Sequence, residues 1–132
     1  MSKELEQKLA RRWPNWFDLA ANPRLSAMAR GFEHGDGWFN LLWLLCVDLE
    51  PLIAEFENET GERFEVLQVK QKLGWLRFYV SHHSDRIDGR IAEARRESSR
   101  TCEICGQPGK QLESGGWIRA RCDTHAHSPV EQ

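Results

Sequence analysis

Near its C-terminal end the chain reads Cys102-Glu103-Ile104-Cys105-Gly106, and after a further stretch Cys122-Asp123-Thr124-His125. This C-x2-C-x16-C-x2-H spacing constrains the fold more than any other stretch. Thiolate sulfur and imidazole nitrogen suit tetrahedral Zn²⁺, and two donors two residues apart can grip one ion from a tight backbone knuckle. Gly106 suits the turn under the metal, where a residue with no Cβ is favoured. The 16 residues between the knuckles leave room for a short hairpin. Strands are expected over 110–112 and 117–121, turned at Ser114-Gly115-Gly116, which is the layout of a zinc ribbon. Cys102, Cys105 and Cys122 are the thiolate ligands; His125 is the expected fourth ligand, with His127 as competitor. Four protein ligands close the shell, so the zinc is expected to be structural and not catalytic.

The cysteine count points the same way. Cys46 lies inside the apolar run Leu44-Leu45-Cys46-Val47 and reads as a buried free thiol, which leaves three cysteines and a histidine for a metal. That usage fits a reducing, cytoplasmic setting. The first residues are charged and carry no signal-peptide core, and the apolar run from Trp38 to Val47 falls far short of the roughly 18 residues of a membrane span. A chain of 132 residues fits one domain carrying a metal-stapled lobe, divided here as 1–100 and 101–127. Its net charge of −2 gives no overall basic footprint for nucleic acid.

Periodicity places the other elements. Leu5, Leu9 and Trp13 mark a helix over 2–13 that Pro14 stops. The aromatic segment that follows, through the glycine-rich 31–37, reads as an irregular wrap over the core. Asp36 is expected to cap a helix from Trp38 to about Glu59, ended by Gly61 and either kinked or restarted at Pro51. Its first half is apolar nearly all round, as in a central helix, although one side could be a docking surface. Residues 64–70 and 75–80 read as an antiparallel hairpin, with Leu76, Phe78 and Val80 on one face. Ser84 or Asp85 caps a last helix over 86–100. Trp38, Trp43 and Trp75 are expected in the core. The class is α+β: helices on a short antiparallel sheet, with the ribbon docked against it.

No catalytic constellation emerges, so no enzyme is expected. Residues 106–121 contain neither His nor Asp, which argues against a nuclease built on paired cysteine knuckles. His82-His83-Ser84-Asp85 reads as a turn plus cap, and His34 with Asp36 as a loop. Charge is uneven, however: residues 33–65 carry one Lys/Arg against nine Asp/Glu (1 − 9 = −8), and residues 86–121 carry eight against five (8 − 5 = +3). Arg90, Arg96, Arg100, Arg119 and Arg121 are therefore candidate nucleic-acid contacts. Salt bridges within the last helix, such as Glu93–Arg96 and Glu97–Arg100, are the plainer account of its arginines. Trp117, beside Gly116, either covers the zinc or is a recognition aromatic for a protein partner.

Gly37-Trp38 with Leu41-Leu42, the run Val66 to Tyr79, Thr101 to Gly109, Gly116-Trp117-Ile118 and Cys122 to His125, taken in order, resemble a family of small uncharacterised proteins of bacteria and tailed phages. The resemblance spans about 37–126, and the family often has Gly-Gly where this chain has Gly74-Trp75. It implies a small cytosolic zinc-ribbon protein and brings no activity or catalytic residues. Phage occurrence implies a protein that binds a host component, such as an inhibitor of a host defence or nucleic-acid enzyme. A nucleic-acid-binding module using the basic C-terminal third is the alternative.

Overall fold

In the computed structural model, which describes residues 1–129, the expected α+β class forms from three helices, a three-stranded sheet and a separate hairpin. Helix α1 spans Lys3–Arg12, opened by the Ser2 side chain accepting the Leu5 N–H. Its Leu9 and the following Trp13, Trp16 and Phe17 are buried, so this N-terminal segment is part of the core and not a wrap over it. The aromatic rings interlock: Trp13 meets Trp43 edge-on at 4.8 Å, and Phe17 lies 5.2 Å from Phe32.

Residues 31–37 are not simply a loop. Phe32–Glu33 form a two-residue strand β1, parallel to β2 (Val66–Lys72), with Phe32 opposite Val69. Two residues are too few to show a period, which is why alternation cannot reveal this strand. β2 pairs antiparallel with β3 (Trp75–Val80) across Leu73-Gly74, both at positive φ as a two-residue hairpin turn requires. The sheet order is β1-β2-β3. Leu76, Phe78 and Val80 face the core as expected. Trp75 is only half-buried, because its face of the sheet looks outward and the Arg95 guanidinium lies over its ring at 5.2 Å.

Helix α2, Phe39–Thr60, is the spine, and Gly61 at φ 69° ends it. Asp36 does not cap it: a 3-10 turn over Asp36–Trp38 leads in, and the Asp36 carboxylate instead accepts the Ser2 N–H at 2.7 Å. Pro51 neither breaks nor restarts the helix. Pro51 and Val47 both face solvent, so the Val47 carbonyl that proline leaves without a donor can reach water. Trp38 is fully buried, whereas Trp43 is half-buried against Phe39 and Trp13.

Helix α3, Asp85–Ser98, starts at Ser84, whose hydroxyl accepts the Ile87 N–H. Among the described residues its arginines make no ion pair within the helix: Arg90 reaches Asp48 at 2.8 Å and Arg86 reaches Glu55 at 3.1 Å, both on α2. On the other flank Arg12 of α1 pairs with Glu50 at 2.9 Å. Such exposed pairs stabilise little, but they lock α2 between its neighbours and define the strip left over. Asn40, Leu44, Val47, Pro51 and Ala54 share that outer strip at helical spacing, with Leu44 59% and Val47 41% exposed.

The second hairpin pairs β4 (Lys110–Ser114) with β5 (Trp117–Arg121) around Gly115-Gly116. Its Ala120 belongs to the same buried cluster as Trp38 and Leu42. No helix among the described residues is long and apolar enough to cross a membrane.

Candidate metal centre

Both knuckles are held by short local hydrogen bonds. The Cys102 N–H donates to the Gln107 carbonyl at 2.8 Å and the Gly106 N–H to the Cys102 carbonyl at 2.9 Å, with Gly106 at φ 79°. A 3-10 turn over Asp123–His125, with the His125 N–H on the Cys122 carbonyl at 3.1 Å, brings His125 back over Cys122. The four donors converge, every ligand atom lying within 4.8 Å of the others. Cys105 Sγ is 3.7 Å from Cys122 Sγ, and His125 Nδ1 is 3.7 Å from Cys102 Sγ and 3.3 Å from Cys122 Sγ. Metal–sulfur bonds of about 2.3 Å and metal–nitrogen bonds of about 2.0 Å would give tetrahedral edges of roughly 3.5–3.8 Å. The cluster can therefore hold one metal ion, and His125, not His127, stands in it.

The electrostatics favour the metal-binding form of the innermost ligand. Burial alone would raise the Cys102 thiol, but backbone N–H groups of Cys105, Cys122 and Ile104 outweigh it and bring the pKa down to about 6. Cys105 is raised on balance: the Gln107 N–H lowers it, while burial and the neighbouring sulfurs push it up more. A cation among the three sulfurs relieves that repulsion. Cys46, by contrast, is buried apart from the cluster, and burial pushes its thiol up.

The first knuckle is seated in the body of the protein through Gly35-Asp36-Gly37. The Gly37 N–H donates to the Glu103 carbonyl at 2.8 Å, and the Gly35 N–H to the Glu103 carboxylate at 3.0 Å. Both Glu103 oxygens also accept from Arg119 Nη1, at 3.0 and 2.9 Å. Trp38 Nε1 donates to the Thr101 carbonyl at 3.0 Å. No motif reveals this socket; its partners come together only in the folded chain.

The candidate nucleic-acid residues do not form one surface. Arg90 is spent on Asp48 and Arg119 on Glu103, and Arg121 is buried. Arg96 and Arg100 are exposed on and just beyond α3. Trp117 is 49% exposed and starts the strand whose other end leads into Cys122, about 13 Å along, so it does not cover the metal ligands. His83 pairs with Asp88 at 2.9 Å beside the Ser84 cap, in keeping with a turn.

His34 departs from the loop expected of it. It is buried, and its Nδ1 donates to the Gly35 carbonyl at 2.8 Å. Desolvation by burial lowers its pKa from 6.5 to about 4. Between those values the unfolded chain binds the proton and the folded chain does not. Its stabilising contribution is therefore complete above about pH 6.5 and is lost as the pH falls toward 4. The expected loss is on the order of 3 kcal/mol. Urea midpoints from pH 7 to 4 would check it: His34→Gln should flatten the slope relative to wild type, and an unchanged slope would refute it. Cysteine protonation is common to both proteins and cancels in the comparison.

No protein-family model, curated protein or solved structure matches this chain.

Proposed function

We propose that the ion is Zn²⁺, held for structure, and that the protein is a non-enzymatic module that docks another protein in the cytoplasm. Three sulfurs and one imidazole nitrogen form a soft donor set that favours zinc over the hard cations, and four protein donors leave no open position for substrate. Three thiolates around Zn²⁺ give a local charge of about −1, a poor site for attracting phosphate.

The observation that carries the docking role is the outer strip of α2. Leu44, Val47, Pro51 and Ala54 stand in solvent between the Arg12–Glu50 pair on one flank and the Arg90–Asp48 and Arg86–Glu55 pairs on the other, where a helix of an isolated domain would present polar residues. Beside the strip a notch of about 210 Å³ is lined by Trp13, Pro14, Trp16, Glu50, Ala54 and Glu57. Helix α2 carries five acidic residues and no basic one. Asp48, Glu50 and Glu55 beside the strip are already paired with arginines of this chain, so the partner is a protein that brings an apolar anchor to the strip. The family resemblance supports a phage-borne inhibitor of a host defence or nucleic-acid enzyme as the form this takes.

Two measurements test the proposal. Metal analysis should find one zinc per chain, lost or sharply weakened in His125→Ala and retained in His127→Ala; full retention in His125→Ala would overturn the ligand assignment. Affinity capture from host lysate should yield a stoichiometric protein that survives nuclease and is lost when Leu44 and Val47 are both replaced by Glu. If instead every partner disappears with nuclease, Arg96 and Arg100 become the operative groups and the nucleic-acid role replaces this one.

A further inference from the structure

A second site contains none of the four metal ligands and lies apart from the α2 strip. Between the end of the β1–β2 pair and the C-terminal hairpin runs a cleft of about 720 Å³, lined among others by Glu33, His34, Lys70, Glu103, Arg119 and Arg121. That volume suits a small molecule.

Its walls hold polar atoms that the described residues leave without partners. Arg121 is only 5% exposed, and its Nε and Nη1 are buried with no acceptor among the described residues. No carboxylate among the described residues pairs with it. The acids nearby are otherwise engaged: Glu103 with Arg119, Asp36 with the Ser2 N–H, and Glu33 with Gln68 Nε2 at 3.1 Å. Lys70, on the same wall, also has no ion-pair partner among the described residues and faces Arg77 directly across the β2–β3 ladder. Like charges in that position repel. A buried guanidinium without an acceptor is costly to the fold, so its retention points to a ligand that supplies what the protein does not.

His34 restricts what that ligand can be. With Nδ1 donating to the Gly35 carbonyl, the neutral ring presents Nε2 as an acceptor, and that atom too is buried without a partner. Beside the carboxylates of Glu33, Asp36 and Glu103, the cleft thus offers cationic donors and one unmet acceptor. A bare dianion such as sulfate satisfies only the donors.

We propose that this cleft binds a small oxyanion that carries its own O–H group, with hydrogen phosphate as the simplest member of the class. Side-chain shifts that open the buried Arg121 and His34 atoms to the cleft let Arg121 and Lys70 meet the charged oxygens and His34 Nε2 accept the ligand's O–H.

The test titrates inorganic phosphate, and separately sulfate at matched ionic strength, into the zinc-loaded full chain while amide resonances are followed. Saturable shifts are expected at His34, Gly35, Lys70 and Arg121, with phosphate bound about tenfold more tightly than sulfate for one extra hydrogen bond. Arg121→Gln should abolish saturation, and Lys70→Ala should weaken it several-fold without altering the spectrum elsewhere. Arg121→Met should leave the phosphate-free protein at least as heat-stable as wild type, because it removes an unsatisfied buried charge. Absence of saturation in the wild type, equal binding of phosphate and sulfate, or an undiminished response in Lys70→Ala would each overturn the proposal. The Lys70→Ala result stands even where an Arg121 variant fails to fold.

Discussion

Stripping the metal with a chelator, or replacing Cys102 by Ala, is expected to unfold the C-terminal hairpin and leave the helical body standing. β4 and β5 bury little: beyond Ala120 and Arg121 their side chains are half-buried or exposed, and a lone two-stranded hairpin is marginal in water. Structural zinc sites contribute on the order of 10 kcal/mol to folding, comparable with the whole stability of a small domain, and a metal held by these four donors would act alike. The main core does not depend on it, since Leu9, Phe17, Leu45, Leu49, Ile53, Phe64, Phe78 and Ile87 pack together on elements that precede the knuckles. Hydrogen exchange would separate the two regions. Amides of Lys110–Arg121 should lose protection on metal removal while those of α2 keep it. Tryptophan fluorescence should shift as well, because the Trp38 indole loses its Thr101 acceptor. Unchanged protection in the hairpin would mean that the metal is not what holds it.

Gly37→Ala is expected to weaken metal binding although Gly37 is not one of the four ligands. A Cβ there would stand 2.6 Å from the Gly106 nitrogen and 2.7 Å from the Glu103 carbonyl carbon, and closer still to the Cys102 carbonyl oxygen. All three are backbone atoms of the first knuckle, so no side-chain rotation relieves the clash. The knuckle must shift or the loop must open, at about 3 kcal/mol for overpacking of this kind. Metal affinity should fall roughly 10–100-fold, as when supporting groups around a metal site are lost. Competition against a chromophoric chelator would read it. Gly89→Ala is the matched control: Gly89 sits exposed in α3 with nothing near its missing Cβ, so that change should stabilise by about 1 kcal/mol and leave metal affinity alone. Equal affinities for the two variants would sink the coupling.

What the sequence made legible was whatever depends on near neighbours. The ligand spacing, Gly106 under the metal, the 2-residue alternation of 75–80 and the Ser84 cap are all local, and each forms as expected. What it hid depends on distant partners. β1 exists only because Phe32 meets Val69. Gly35 and Gly37 look like loop glycines until Glu103 is packed against them. Asp36 has every property of a helix cap, yet its carboxylate serves Ser2. The arginines mislead for a related reason: a cation count treats each as exposed, whereas Arg119 lies in a buried pair and Arg90 leans across to α2.

The seating of the knuckle on Gly35 also has a consequence for biosynthesis. The two halves of that contact lie 68 residues apart in the chain. At translation rates of about 5–20 residues per second, the loop around Gly35 waits roughly 3–14 s for Glu103 to be made. Throughout that interval Trp38 lacks its Thr101 acceptor. Final closure then depends on metal reaching a segment made well after the body it closes. A cell short of the metal would thus accumulate a body folded early and closed late, open to proteolysis between Thr101 and His125.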